Sequence, residues 1–257
     1  MNVSTVSSVE RFTVEHPLRI HVWSGPRNIS TALMYSFAQR DDTRVVDEPF
    51  YAHYLELTGA PHPGRKEVLA TMTSDAETVV RRDILAPRDR PVIFFKQMAH
   101  HLAGLDWSFL DHGVHVLLVR EPQEVLTSLV NQLPRPQLRD TGLDLQVQLL
   151  DHLLERGQEP PVLDSRLLLL DPPGVLAQLC RRLGIDFQPA MLSWPAQPRP
   201  EDGVWARHWY HSLHRSTGFQ PYRAKTEPLP NGLEELLETC RPLYRRLRER
   251  ALTASDD

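Results

Sequence analysis

The chain has only two cysteines in 257 residues, Cys180 and Cys240. They stand far apart in helix-like surroundings, which excludes both a disulfide framework and a zinc-ligand spacing. A reducing cytoplasm is the expected setting. Long apolar runs are also lacking. Stretches such as Val116-Leu117-Leu118-Val119 and Leu167-Leu168-Leu169-Leu170 fall far short of the roughly 20 residues that cross a bilayer. The start of the chain is polar and mixed in charge, without the basic segment, apolar stretch and cleavage site of an export signal. Neither membrane association nor export is predicted. A net charge of −4 leaves no broad basic field. That argues against non-specific nucleic-acid binding and makes any anion site a local one.

What is present is an ordinary globular composition, 41% hydrophobic and 24% charged, enough for one sizeable core. Residues 1–17 read as a flexible leader and 18–257 as a single domain. Strand signals recur at 19–23, 45–46, 91–96, 114–120 and 161–164. Between them lie helical patterns beginning near Ser30, running through Leu57, spanning 66–86 and 98–103, starting at Glu121-Pro122 and covering 143–156. A further helix is capped by Asp171, with Pro172 at its first turn. The run at 91–96 is apolar on both faces, as a buried parallel strand requires. Alternating strands and helices predict an α/β fold, a three-layer sandwich with a mostly parallel central sheet. Residues 133–141 are proline-rich and read as a mobile loop. Residues 189–230 read as a lid or C-terminal elaboration, followed by an amphipathic helix over about 232–252.

Between the first strand and its helix stands Ser24-Gly25-Pro26-Arg27-Asn28-Ile29-Ser30-Thr31. Gly25 permits a tight turn, Pro26 fixes the approach, and Ser30 and Thr31 place hydroxyls beside free helix N–H groups, with Ser30 or Asn28 as the expected cap. This is an oxyanion cradle. Arg27 adds a permanent charge with a planar donor fork. A nucleotide-triphosphatase loop needs G-x-x-x-x-G-K-[ST]; here Ser30 and Thr31 stand where Gly and Lys are required, so ATP or GTP chemistry is disfavoured.

The stretch resembles the 5′-phosphosulfate loop of the sulfotransferases, often P-R-S-G-[ST]-T, with Arg27, Ser30 and Thr31 at matching positions. Asn28-Ile29 replaces Ser-Gly, and a β-branched residue resists the positive φ that glycine tolerates. A second match follows the clearest strand: Arg120-Glu121-Pro122, with Ser128 eight residues after Arg120. In that family such an arginine and serine hold the 3′-phosphate of 3′-phosphoadenosine-5′-phosphosulfate (PAPS). The bland reading of the same residues is an Arg120–Glu124 pair and a serine on a solvated helix face. The resemblance covers about 20–184. With Asp47-Glu48-Pro49-Phe50 and Ser216-Thr217-Gly218-Phe219, the chain looks most like the sulfotransferase-like domains sometimes fused to aminotransferase-like proteins. It implies a P-loop-type sulfotransferase fold, with PAPS as co-substrate and a small-molecule or glycan-like acceptor.

Sulfuryl transfer needs a base for the acceptor proton and positive charge at the leaving phosphate. The resemblance points first to Glu48 as base, with His100 as its rival, while an Asp-Glu pair before proline could equally be a helix cap. Lys96 either stabilises the bridging oxygen or snorkels from a strand end. His208, His211 and His214 recur every third residue, but no carboxylate or cysteine completes a metal set, and no metal is expected. Trp205, Trp209, Tyr210 and 215–219 read as a lid stacking on adenine or acceptor, or equally as a packed subdomain. The rivals to a sulfotransferase are a non-catalytic nucleotide-binding module and a kinase-like phosphotransferase.

Overall fold

A computed structural model describes residues 12–225 and 227–253; residues 1–11 of the expected leader lie outside the described residues. Five strands form one sheet: β1 (Leu18–Ser24), β2 (Thr43–Asp47), β3 (Val92–Met98), β4 (Val114–Val119) and β5 (Val162–Asp164). All are parallel, in the order β2-β3-β1-β4-β5. The helices are α1 (Ser30–Phe37), α2 (Tyr51–Thr58), α3 (Arg65–Thr71), α4 (Ala76–Val79), α5 (Pro122–Leu129), α6 (Leu138–Thr141), α7 (Leu143–Glu155), α8 (Ser165–Leu170), α9 (Pro172–Leu183), α10 (Ala206–Trp209) and α11 (Glu234–Arg248).

The three layers follow from strand periodicity. Ile20 and Val22 of β1, Phe94 of β3, and Val116 and Leu118 of β4 join one core with α1 and α9. Their alternate neighbours Trp23, Ile93, Phe95, Leu117 and Val119 join a second core with α7 and α11. Successive side chains point to opposite faces, so a sheet covered on both sides needs apolar residues at nearly every position. The sequence of β3 supplies them, and all seven of its residues are buried, Lys96 and Gln97 included.

Several helix starts are set by local side chains. Glu121 accepts from the backbone of Glu124 ahead of Pro122, and Asp171 does the same for Gly174 ahead of α9. Asp164 caps the short α8, which the sequence pattern did not separate, by accepting from Arg166 and Leu167. The polar stretch over 66–86 resolves into α3, α4 and a wider π turn over Val80–Ile84. The expected helix at 98–103 is a 3-10 turn over Ala99–Leu102, and the loop at 133–141 ends in α6.

Because the sheet is parallel, Ser24, Asp47, Met98, Val119 and Asp164 end on one edge. The chain runs from β1 out to β2 at one edge, comes back to β3 beside β1, and then crosses to β4 on the other side. Such a reversal opens a crevice beyond the carboxyl ends of the strands, where α/β sheets bind ligands.

Candidate active site

The loop over residues 25–29 joins β1 to α1 at the centre of that edge. Gly25 is required by a close approach and not by a left-handed turn. A Cβ there would lie 2.2 Å from the Thr141 carbonyl oxygen, and its φ is outside the left-handed range. The left-handed residue of the loop is Arg27, at φ 56, a conformation that costs a non-glycine residue about 1 kcal/mol or more. Ile29 sits at φ −93, so the β-branched side chain meets no strain where a positive φ was feared.

Two contacts hold Arg27 in place. Its Nε donates to Ser128 Oγ at 2.8 Å, and its carbonyl accepts from Arg120 Nη1 at 2.8 Å. The loop, β4 and α5 are thereby tied together across the two motifs. Burial, and then the positive charge of Arg120, lower the pKa of Arg27, although a guanidinium remains charged. Asn28 does not cap α1. Its Nδ2 donates to the Leu118 carbonyl at 3.1 Å and its Oδ1 accepts from Ile29 N at 2.9 Å. Ser30 is no cap either: the N-cap residue is Ile29, without a side-chain bond, so the first-turn N–H groups stay open. Among the described residues the hydroxyls of Ser30 and Thr31 have no hydrogen-bond partner, and both residues line a cavity of about 840 Å³.

Arg120 and Ser128 face the same cavity. Arg120 makes the pair considered in the sequence: Nε donates to Glu124 Oε2 at 2.9 Å, and Nη2 stands 2.8 Å from that oxygen. Tyr222 donates to the other carboxylate oxygen at 2.7 Å, and Lys225 Nζ lies 3.3 Å from the Glu124 carbonyl.

Across the cavity, β2 and β3 end in register, with Asp47 opposite Lys96. Lys96 does not snorkel; it is 2% exposed. Its Nζ donates to Asp47 Oδ1 at 2.9 Å, to Tyr210 Oη at 2.9 Å and to Glu48 Oε1. Tyr210 in turn donates to Asp47 Oδ2 at 2.8 Å and accepts from Trp205 Nε1 at 3.1 Å. A buried ion survives only when paired and hydrogen-bonded, and this ammonium has three oxygen partners. Burial alone would lower its pKa, but Asp47 and Glu48 outweigh that and hold it well above the ordinary lysine value. Glu48 moves up, because burial and Asp47 disfavour its charge more than Lys96 favours it. Its backbone is left-handed, at φ 43, pinned by Glu48 N donating to the Lys96 carbonyl at 2.9 Å.

His100 lies on the 3-10 turn after β3 and lines the cavity. Burial, then His62 and Lys96, lower its pKa to about 3, so the ring is neutral, with Nδ1 unpartnered. His101 is stacked between Tyr51 and Tyr54, at 5.1 and 4.8 Å between centroids, and its Nε2 is 4.0 Å from Glu48 Oε2. With His62, Trp205 and Trp209, these rings make one wall of the cavity. Of the three spaced histidines, His214 bonds Asp202 at 3.0 Å. No group of three or more His, Cys, Asp or Glu that could hold a metal ion occurs among the described residues.

The structure therefore brings Arg27, Ser30, Thr31, Glu48, Lys96, His100, Arg120 and Ser128 around one cavity. Ser24 lies behind it, its hydroxyl 3.8 Å from Met98 Sδ. Asp47 and Glu48 do not cap α2, whose N-cap is Phe50 without a side-chain bond, and the sequence marks no role for Tyr51, Tyr54 or His101. Aligning the carboxyl ends of β2 and β3 would have suggested Asp47, but nothing local marks Tyr210 as a partner of Lys96, 114 positions away.

An all-parallel sheet of this order, with a tight loop between its first strand and helix, defines a P-loop-type α/β fold. A model of the sulfotransferase domain matches residues 18–251, and the chain belongs to the sulfotransferase family. Two curated relatives from Arabidopsis thaliana are branched-chain-amino-acid aminotransferase-like proteins 2 and 1. The first is 42% identical over 230 residues, 89% of this chain and 41% of its own length. The second is 42% identical over 233 residues, 90% of this chain and 42% of its own length. The chain thus spans about two fifths of the curated relatives it matches. A sulfotransferase crystal structure from Alicyclobacillus acidocaldarius superposes with a TM-score of 0.52 at 13% identity, covering 91% of this chain and 97% of that one, and shares the fold. No helix among the described residues is long and apolar enough to cross a membrane.

Proposed function

We propose that the chain moves a sulfuryl group from PAPS to a hydroxyl or amine of an acceptor held in the aromatic-walled cavity. The observation that carries this reading is the link between the two phosphate motifs. Arg27 of the first loop donates to Ser128 of the second, and Arg120 of the second donates to the Arg27 carbonyl. Two anion-binding groups so joined suit a ligand with phosphates at both ends of one nucleoside, which a nucleoside triphosphate is not.

In this reading Arg27, Ser30, Thr31 and the open N–H groups of α1 hold the 5′ end, with Ser24, Gly25, Pro26 and Asn28 shaping the loop. Arg120 and Ser128 hold the 3′-phosphate. Glu48 takes the acceptor proton as the acceptor oxygen or nitrogen bonds to sulfur. The bond from sulfur to the bridging phosphate oxygen breaks, and the electron pair stays on the phosphate. Lys96 provides fixed positive charge next to Glu48, where proton and charge must move in concert. The tyrosine, histidine and tryptophan wall favours an acceptor with a flat or apolar body, and His100 offers a neutral ring nitrogen to its polar group. Two free, buried thiols suit a reducing cytoplasm.

Calorimetric titration with adenosine 3′,5′-bisphosphate, PAPS and ATP tests the reading. The bisphosphate and PAPS should bind, and Arg120→Ala should abolish the preference for a 3′-phosphate. Binding of ATP without binding of the bisphosphate would overturn it. Turnover with a panel of hydroxyl and amine acceptors then separates an enzyme from a binding module.

A further inference from the structure

Arg120 is held from two sides. Its carboxylate partner meets one edge of the guanidinium, with Nε at 2.9 Å and Nη2 at 2.8 Å from a single oxygen of Glu124. The other terminal nitrogen, Nη1, is committed to the Arg27 carbonyl at 2.8 Å. An arginine has five N–H donors in a rigid plane, so these contacts fix its orientation and still leave donors on the terminal nitrogens. The second oxygen of Glu124 is taken by the Tyr222 hydroxyl at 2.7 Å, and the Tyr222 ring carries the Arg166 guanidinium at 5.6 Å.

A carboxylate beside a phosphate-binding arginine could act in two opposite ways. It could compete with the phosphate for the guanidinium, or it could brace the guanidinium from behind. The cavity decides between them. Arg120 and Ser128 line it, whereas Glu124, 8% exposed, is not among its lining residues. With both carboxylate oxygens already engaged and the group set behind the arginine, Glu124 is placed to orient and not to compete.

Resting on the reading of Arg120 as a 3′-phosphate group, we propose that Glu124 is the positioning residue of that subsite and that Tyr222 locks it. The pair links a residue of the C-terminal segment to donor selection. A guanidinium preorganised for a phosphate loses less side-chain freedom on binding than a mobile one. Removing the brace should therefore cost affinity for the 3′-phosphate alone.

The test is calorimetric titration of the full chain and its Glu124→Ala, Glu124→Gln and Tyr222→Phe variants with adenosine 3′,5′-bisphosphate and adenosine 5′-phosphate. Glu124→Ala should weaken the bisphosphate by about ten- to a hundredfold, the worth of a charge-assisted bond, and leave the monophosphate unchanged. Glu124→Gln, which keeps an acceptor oxygen, should restore part of the loss, and Tyr222→Phe should fall between. Unchanged monophosphate binding also shows that the variants are folded. Unchanged or tighter bisphosphate binding by Glu124→Ala overturns the proposal while the donor reading stands. A wild-type chain that does not distinguish the two nucleotides overturns both.

Discussion

The hydroxyl of Tyr210 accepts from Nζ of Lys96 at 2.9 Å and donates its own hydrogen bond to Asp47 Oδ2 at 2.8 Å. A residue of the 189–230 segment thus completes the shell of a buried ammonium at the edge of the sheet. Tyr210→Phe would leave Lys96 with its two carboxylates and deprive Asp47 Oδ2 of its shortest contact; the next is Gly203 N at 3.5 Å. Bonds to charged groups are worth about 1.5–3 kcal/mol. The variant should lose roughly 2 kcal/mol of stability, and its melting temperature should fall by about 4–8 °C. Turnover should fall more than donor affinity, since Tyr210 touches Lys96 and not the anion loop. Calorimetric melting with steady-state kinetics checks both, and an unchanged melting temperature would show that the hydroxyl is not a structural partner of the lysine.

Gly25 makes a sharper steric prediction. A methyl group there meets the Thr141 carbonyl oxygen at 2.2 Å, and that oxygen belongs to backbone packed beneath the anion loop. Gly25→Ala should displace the loop, weaken adenosine 3′,5′-bisphosphate by more than about tenfold and destabilise the fold by about 1–3 kcal/mol. Gly157→Ala is the control. Gly157 has a left-handed φ of 73 but no atom within 4 Å of an added Cβ, so it should lose about 1 kcal/mol from strain alone and keep its nucleotide affinity. Equal nucleotide binding by the Gly25 variant and the wild type would remove the close approach as the reason for glycine.

These two positions mark what the sequence can and cannot convey. The cores of β1, β3 and β4 were legible because a strand buried on both faces must be apolar almost throughout, and the placement of residues 24–31 and of Arg120 with Ser128 at one cavity was legible because each group follows directly after such a strand. The reason for Gly25 was not, since the backbone it must avoid belongs to the α6–α7 junction. Nor was the left-handed turn at Arg27, where an arginine takes the strained position and leaves Ile29 in ordinary space. The Lys96–Asp47 contact follows from strand register, which alternation alone does not fix, and the Tyr210 contact follows from chain folding over 114 positions.

The identity of the base is readable from the pH dependence of turnover. Burial raises Glu48 above its ordinary value of 4.5, whereas burial lowers His100 to about 3. A base must be deprotonated to act. With Glu48 in that role, kcat/KM, which reports the free enzyme, falls on the acid side with a midpoint above 4.5, and Lys96, held well above 10.5, stays charged throughout. Glu48→Gln should then lower kcat by about 10²–10⁴, while His100→Gln keeps the acid limb in place. An acid limb that stays when Glu48 is replaced and vanishes when His100 is replaced would reverse the assignment.

The second core should make the fold acid-sensitive near neutrality. His115 is neutral there: Nε2 bonds the Leu110 carbonyl at 2.8 Å, and Nδ1 accepts from Trp23 Nε1 at 3.1 Å. A proton on Nδ1 would break the tryptophan bond and place a charge among buried rings. Burial lowers its pKa from 6.5 to about 4, and burial likewise depresses His21, stacked on Phe95 at 4.6 Å. Between 6.5 and about 4 the unfolded chain binds a proton that folded His115 refuses. Stability is therefore full above the unfolded value and declines as the pH falls through that window. His115 alone should remove on the order of 1 kcal/mol at about pH 5.5. Urea unfolding at about pH 7.5 and 5.5 measures the loss. His115→Gln, which keeps hydrogen-bonding capacity without titrating, should be less stable at neutrality but lose less on acidification. An acid loss of the same size in the variant would show that His115 does not carry it.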